Sequence, residues 1–292
     1  MDGFRPLTSV IPVFLLIAIG FLFANWKRIA LAPVAEIIVY LTTPCLVFTS
    51  LVTRRIVVID VLAMLTGIVG IFAGVGILIR LYFFVFRFRS LGFALPALFM
   101  NAGNIGIPLA LFALGEPGLQ RATLLFVIVS FIHNTLGIYL LQSSATGWKE
   151  VFRLPLIYAT VLGLFYSITE MRLPDPVFEP LRMLGHASIP LMLITLGYRL
   201  REMGTLQWGH SFGGACIRIF GGLAAGYAVV AILHIDGINR QVLLLYSALP
   251  AAVVNFVLTE KYHRDPELAA SIIVVSTVLS LITIPLVLWL IL

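Results

Sequence analysis

Two stretches of this sequence place amides, glycines and prolines inside otherwise apolar runs. The first reads Leu95-Pro96-Ala97-Leu98-Phe99-Met100-Asn101-Ala102-Gly103-Asn104-Ile105-Gly106-Ile107-Pro108, and the second reads Ala248-Leu249-Pro250-Ala251-Ala252-Val253-Val254-Asn255. A proline inside a helix removes a hydrogen bond and clashes with the carbonyl four residues back, so Pro108 and Pro250 are expected to set a break in each run. Gly103 and Gly106 permit unwinding and close approach. An interrupted helix exposes N–H groups at one new end and C=O groups at the other. Half-helix N-termini carry roughly half a positive charge, so two of them meeting at mid-depth attract an anion. Asn101, Asn104 and Asn255 can donate to a carboxylate or satisfy freed carbonyls. The chemistry expected is therefore recognition of a small anion. The competing reading is that these amides only re-pair broken backbone; the recurrence of the feature in both stretches favours binding.

Other polar residues inside apolar runs have ordinary explanations as well as functional ones. Arg218 lies about 12 Å into its run if helical; it is a candidate substrate contact, and snorkelling to the membrane boundary is the favoured alternative. His133, near Ser130 and Asn134, could carry a coupling proton, although a neutral imidazole hydrogen-bonded between helices is favoured. His186, Ser188 and Thr195 read as packing, and Glu36, Asp60 and Glu260 as solvated heads near span ends. Neither break contains an Asp or Glu, so strong ion coupling there is not supported. Cys45 and Cys216 sit in separate apolar runs with no disulfide or metal spacing. No Ser/His pair, carboxylate pair or His cluster shares one depth, which argues against an intramembrane enzyme or sensor. No cofactor is implied.

The elements that must position these residues follow from composition. Of 292 residues, 61% are apolar and 11% charged, with a mean hydropathy of +1.08. A soluble domain carries about a quarter charged residues, so this chain belongs in a bilayer. Apolar runs of about 20 residues, not alternating ten-residue segments, select helices over a barrel. Spans are expected near 7–24, 31–51, 59–79, 92–114 and 119–142, then near 155–171, 181–198, 210–233, 241–260 and 267–291. The first reads as a retained span, not a cleaved signal. The +6 charge reads as orientation rather than nucleic-acid binding. Lys27, Arg28, Arg80, Arg87, Arg89, Lys149, Arg153, Arg199, Arg201, Lys261 and Arg264 fall on one side, eleven in all. The other side holds seven: Arg5, Arg54, Arg55, Arg121, Arg172, Arg182 and Arg240. The positive-inside rule then puts both termini outside the cytoplasm. All three lysines are expected in loops.

The halves echo each other. Phe4-Arg5-Pro6-Leu7 corresponds to Phe152-Arg153-Leu154-Pro155, Pro44 to Pro190, and Glu116-Pro117-Gly118-Leu119 to Asp265-Pro266-Glu267-Leu268, at offsets of 146 to 149 residues. Five spans per repeat is odd, so the second copy inserts inverted. The expected organisation is a first repeat over 1–142, a cytoplasmic connecting loop over 143–154 and a second repeat over 155–292. Inverted repeats are a common architecture of secondary transporters, with substrate bound at their interface near the midplane.

Asn101 through Pro108, Ala248-Leu249-Pro250 through Asn255-Phe256-Val257-Leu258, the trailing Glu260-Lys261-Tyr262 and Asp265 through Ala270, Ser276-Thr277, Pro285, and Arg218-Ile219-Phe220-Gly221 together carry a resemblance. Over essentially its whole length the chain resembles the auxin efflux carrier family, which includes plant PIN-type carriers and bacterial malate and malonate permeases. The resemblance implies an all-α membrane protein of ten transmembrane helices in two inverted five-helix repeats, with broken helices four and nine crossing. It implies scaffold helices over 7–51 and 155–198 that form a homodimer. It further implies a mobile transport domain over 59–142 and 210–291 that moves as an elevator. Asn101 matches a substrate-binding asparagine of the family. Asn255 departs from the second proline of PIN carriers, and the long central loop of those carriers is missing, which weakens any transfer of auxin specificity. The short chain looks like the bacterial type, in the inner membrane.

The expected function is a secondary carrier of small organic anions, mono- or dicarboxylates, contacted by Asn101, Asn104 and Asn255, with His133 and Arg218 as possible coupling or accessory groups. The rival is a sodium-coupled organic-anion symporter of the bile-acid type.

Overall fold

The computed structural model describes residues 5–53, 55–142, 152–171, 173–203 and 207–292. Phe4, Arg54, Lys149, Arg172 and residues 143–151 of the expected connecting loop lie outside them. The chain opens with α1 (Arg5–Trp26), followed by α2 (Leu31–Ile37), a π-helical turn (Ile38–Thr42) and α3 (Thr43–Val52), then α4 (Val58–Phe86). α5 (Leu91–Leu98) stops short. Helix resumes with a π-turn at Ala102–Gly106 and α6 (Ile107–Ile132), and a second π-turn (His133–Gly137) leads to α7 (Ile138–Gln142). The second half holds α8 (Pro155–Thr169), α9 (Asp175–Glu202), α10 (Trp208–Cys216), a π-turn at Ile217–Gly221, α11 (Gly222–Ile232), α12 (Gly237–Ser247), α13 (Val254–Lys261) and α14 (Pro266–Ile291). Among the described residues, β pairing is confined to one isolated bridge, Met100 to Ala251.

Among the described residues, six helical stretches are long and apolar enough to cross a bilayer: Pro6–Trp26, Leu31–Val52, Val58–Phe86, Ala102–Leu141, Trp208–Ile232 and Pro266–Ile291. Helices expected near 59–79 and 181–198 run longer, as Val58–Phe86 and Asp175–Glu202, so Arg80, Arg182, Arg199 and Arg201 lie on helices rather than in loops. Lys261 likewise closes α13. A long cationic side chain keeps its head in water from the last turns of a membrane helix, so it need not end one. The boundary expected between 92–114 and 119–142 falls at a kink inside α6, where two helices meet. There Gly115, at φ 67°, turns the chain sharply in a conformation open to glycine. Pro190 does not interrupt α9, which continues through it.

The surface is inverted relative to a water-soluble protein. Phe84, Trp26 and Ile232 are 82%, 77% and 74% exposed, whereas Ser247, Ser276, Ser280 and Thr259 are fully buried. Several of these hydroxyls donate to carbonyls of their own preceding turn, as Thr259 does to Asn255 O at 2.9 Å and Ser280 to Thr277 O at 2.6 Å. Where water is absent, such back-bonding satisfies the donor locally.

α1 packs along α9, and α3 along both α8 and α9. The α1–α9 contact is backbone on backbone. A Cβ on Gly20 would lie 2.1 Å from Ile194 O, and one on Gly197 would lie 1.9 Å from Ile17 O. Without a hydrophobic force between helices in lipid, close approach at small residues supplies the dispersion contact that holds them. α4, α6 and α10–α14 pack among themselves around α5, and this second group contains both interrupted helices.

Candidate functional site

The two stretches rich in amides and prolines meet. α5 ends at Leu98, and after unwound residues 99–101 helix resumes at Ala102. α12 ends at Ser247, and after 248–253 helix resumes at Val254. The unwound segments pair antiparallel. Asn101 N–H donates to Pro250 O at 2.8 Å, and Ala252 N–H to Phe99 O at 3.1 Å. Side chains take up other freed groups, as a lipid-embedded backbone requires. Asn255 Nδ2 donates to Phe99 O (3.1 Å), Ala251 N–H to Ser276 Oγ (3.1 Å), and the Tyr246 hydroxyl lies 3.1 Å from Ala102 O and 2.9 Å from Ala122 O.

Pro250 lies in the unwound stretch. Pro108 does not: it sits in the first turn of α6, seven residues after Asn101. Helix has already resumed at Ala102, and Pro108 directly follows the π-turn of Ala102–Gly106, whose wider turn accommodates a residue without an N–H. The first break is therefore set upstream of Pro108. Gly103 and Gly106 lie in the π-turn, and a Cβ on Gly106 would come within 2.8 Å of the Tyr246 ring, so close approach is the role the geometry gives it.

The four half-helix ends are sorted by kind around this pairing, N-terminal ends at a cavity and C-terminal ends at Arg218. The N-terminal ends, at Ala102–Asn104 and Val253–Val254, line a cavity of about 270 Å³. Its walls are otherwise largely apolar, including Ile38, Val39, Phe126, Val129 and Met192. Asn101 and Asn104 line this cavity, as do His133, Ser130 and Asn134. Two polar atoms on the wall are buried without a partner: Asn101 Nδ2 and His133 Nε2. The imidazole stacks on Phe99, with ring centroids 4.2 Å apart and planes 19° apart. Asn255 is its polar neighbour, without hydrogen-bond geometry. Asn134 Nδ2 bonds within its own helix, to Ser130 O at 2.8 Å. Asn255 is fully buried and does not line the cavity; it acts on backbone, through Phe99 O.

The C-terminal ends converge on Arg218. Expected to snorkel, this side chain is fully buried. Its Nη1 donates to Leu98 O (2.5 Å) and Ala97 O (3.3 Å) at the end of α5, and its Nη2 to Ser247 O (2.9 Å) at the end of α12. Inward hydrogen bonding wins because carbonyl ends freed by the breaks need a donor, and Arg218 is the cation within reach.

Residues expected to be bland divide. Ser188 pairs with Thr43 Oγ1 at 3.2 Å, and Thr195 bonds back to Leu191 O at 2.7 Å. His186 lines a second cavity of about 860 Å³ among α3, α6, α8 and α9. Glu36 and Glu260 are exposed. Asp60 is not a solvated head: it pairs with Arg121 Nη2 at 2.6 Å and accepts from Asn239 Nδ2 at 2.7 Å, joining α4, α6 and α12. Tyr246 and Gly222 were not singled out by sequence, and Ser276 entered only as part of the resemblance, with no role assigned. The signals that could have found them are adjacency to the second break and the Arg218-x-x-x-Gly222 spacing. All four π-turns described above lie at this site: three carry Asn104, His133 or Arg218, and the fourth lines the cavity with Ile38 and Val39. An extra residue per turn has no composition signature, but it redirects side chains and is frequent at functional sites.

Comparison with known proteins identifies the family. The family model described as membrane transport protein matches residues 140–288, just over half of the chain. An uncharacterized transporter of Methanocaldococcus jannaschii is 27% identical over 98% of this chain and 99% of its own length. One from Methanothermobacter thermautotrophicus is 27% identical over 86% of each chain. A rice protein named "probable auxin efflux carrier component 3b" is 26% identical over 50% of this chain and 26% of its own. The prokaryotic relatives named here are archaeal, where the sequence suggested the bacterial type. The chain belongs to the membrane transport protein family of the auxin efflux carriers, and is a multi-pass membrane transporter.

Proposed function

We propose that this transporter carries small organic anions, specifically monocarboxylates with an apolar body, bound in the cavity where the two broken helices meet. The observation that supports it is the sorting of helix ends. Two N-terminal ends, each worth roughly half a positive charge, face the cavity, and together they match about one negative charge. Among the described residues no Lys or Arg lines that cavity, so a second carboxylate would lack a counter-charge there; of the mono- and dicarboxylates, the former fit. Asn101 and Asn104 orient the carboxylate, Asn255 holds the break that carries Asn101, and the apolar walls receive the body.

The wider architecture proposed is ten crossings in two inverted five-helix repeats, with helices over 7–51 and 155–198 as a dimerising scaffold. Helices over 59–142 and 210–291 would shift as an elevator, in a plasma membrane with both termini outside the cytoplasm. The antiparallel pairing of the breaks, and the close packing of α1, α3, α8 and α9 with one another, support this reading.

The test is thermal unfolding of detergent-purified protein against acetate, butyrate, phenylacetate, malate and malonate. A ligand at about 100 times its Kd stabilises the native state by roughly 2.7 kcal/mol, which in a protein of this size is several degrees. Phenylacetate or butyrate is expected to raise Tm more than the dicarboxylates, and Asn101→Ala to abolish the shift while leaving the unliganded Tm within about 2 °C. Equal shifts in wild type and Asn101→Ala would remove the site assignment.

A further inference from the structure

Arg218 is the largest fully buried side chain, and no acidic side chain pairs with it among the described residues. An unpaired cation in a membrane interior is ordinarily expelled or neutralised. Here its surroundings supply the counter-charge. Leu98 O and Ala97 O close one half-helix and Ser247 O closes the other, and two C-terminal ends of roughly half a negative charge each sum to about one. The space is reserved in the sequence. A Cβ on Gly222, one turn after Arg218, would lie 2.3 Å from Nη2 and 2.2 Å from Ser247 O. In carriers built on discontinuous helices, unwound carbonyls and half-helix C-termini are where a coupling cation binds.

We propose that Arg218 is a tethered cation standing where a carrier of this construction would otherwise bind a mobile one. Its guanidinium holds the ends of α5 and α12 together permanently, so the opposite, N-terminal ends are organised without sodium. Arg218 is a positioning residue: it touches carbonyls on the far side of the breaks and does not line the cavity. This inference goes beyond the substrate reading, because its test needs no substrate.

The experiment measures thermal unfolding of purified wild type, Arg218→Ala and Arg218→Lys in choline chloride, sodium chloride, and choline chloride with 10 mM guanidinium chloride, all at one ionic strength. Wild type is expected to unfold within 1 °C in all three. Arg218→Ala is expected to lose more than 5 °C in choline and to regain at least 3 °C with guanidinium, and Arg218→Lys to fall between it and wild type. A wild-type Tm that needs sodium would overturn the proposal, and so would an Arg218→Ala protein as stable as wild type or indifferent to guanidinium. If Arg218→Ala yields no folded protein, Arg218→Lys decides: a Tm in choline that guanidinium raises supports the inference, and one it leaves unchanged contradicts it. The wild-type sodium comparison stands in either case. Failure of carboxylates to stabilise wild type would count against the substrate reading alone.

Discussion

At the residue scale, Asn101 and Arg218 divide the work of one electrostatic arrangement. Asn101 sits at the positive ends with an unpaired amide nitrogen, and Arg218 closes the negative ends. Gly222 tests whether the second contact matters, because at most helical positions Gly→Ala is favourable by about 1 kcal/mol. Here the added methyl meets both the guanidinium and Ser247 O, so Gly222→Ala is expected to destabilise by about 1–3 kcal/mol. Chemical denaturation of the purified variant gives that sign directly. The amides and the Arg were visible in the sequence; their division of labour was not. Arg218 bonds to carbonyls 120, 121 and 29 residues away, and carbonyls carry no residue-type signal. Asn255 looked identical in kind to Asn101 and proves to face backbone rather than cavity.

At the element scale, the breaks were legible where proline coincides with unwinding, as at Pro250, and misplaced where proline lies in helix that has already resumed, as at Pro108. π-turns at Ile38–Thr42, Ala102–Gly106, His133–Gly137 and Ile217–Gly221 escaped a reading based on a 3.6-residue period, since each shifts register by a single residue. The Asp60–Arg121–Asn239 cluster was hidden by sequence distance, its members lying 61 and 179 residues from Asp60. It ties the starts of α4 and α12 to α6, with both charged side chains 14% exposed. Removing one partner leaves a largely desolvated charge, so Arg121→Ala is expected to cost about 3 kcal/mol. The double variant Asp60→Ala/Arg121→Ala should recover part of that loss, and a double-mutant cycle measures the coupling. Strictly additive losses would show that the cluster does not lock these helices together.

At the scale of the whole molecule, composition alone placed the chain in a bilayer and made it helical, because 61% apolar residues leave no water-facing surface to build. Relative motion of two helix groups is the part that rests on proposal, and two hydrogen bonds separate its outcomes. Thr43 and Ser188 lie 3.2 Å apart within the group formed by α1, α3, α8 and α9. Ser50 and Thr123 lie 3.0 Å apart across the two groups. In a background with Cys45 and Cys216 replaced by Ser, a cross-link at Ser50→Cys/Thr123→Cys is expected to stop flux reversibly. One at Thr43→Cys/Ser188→Cys should leave most of it. Arrest by both would contradict a moving domain bounded as proposed.

The most direct test of the central claim is flux of radiolabelled phenylacetate and butyrate into liposomes containing only this protein, in sodium and in choline, for wild type and Asn101→Ala. Saturable uptake by wild type, equal in both cations and lost in the variant, is the predicted result. Absence of saturable uptake, or uptake by Asn101→Ala at the wild-type rate, would contradict an anion site at the meeting of the two breaks.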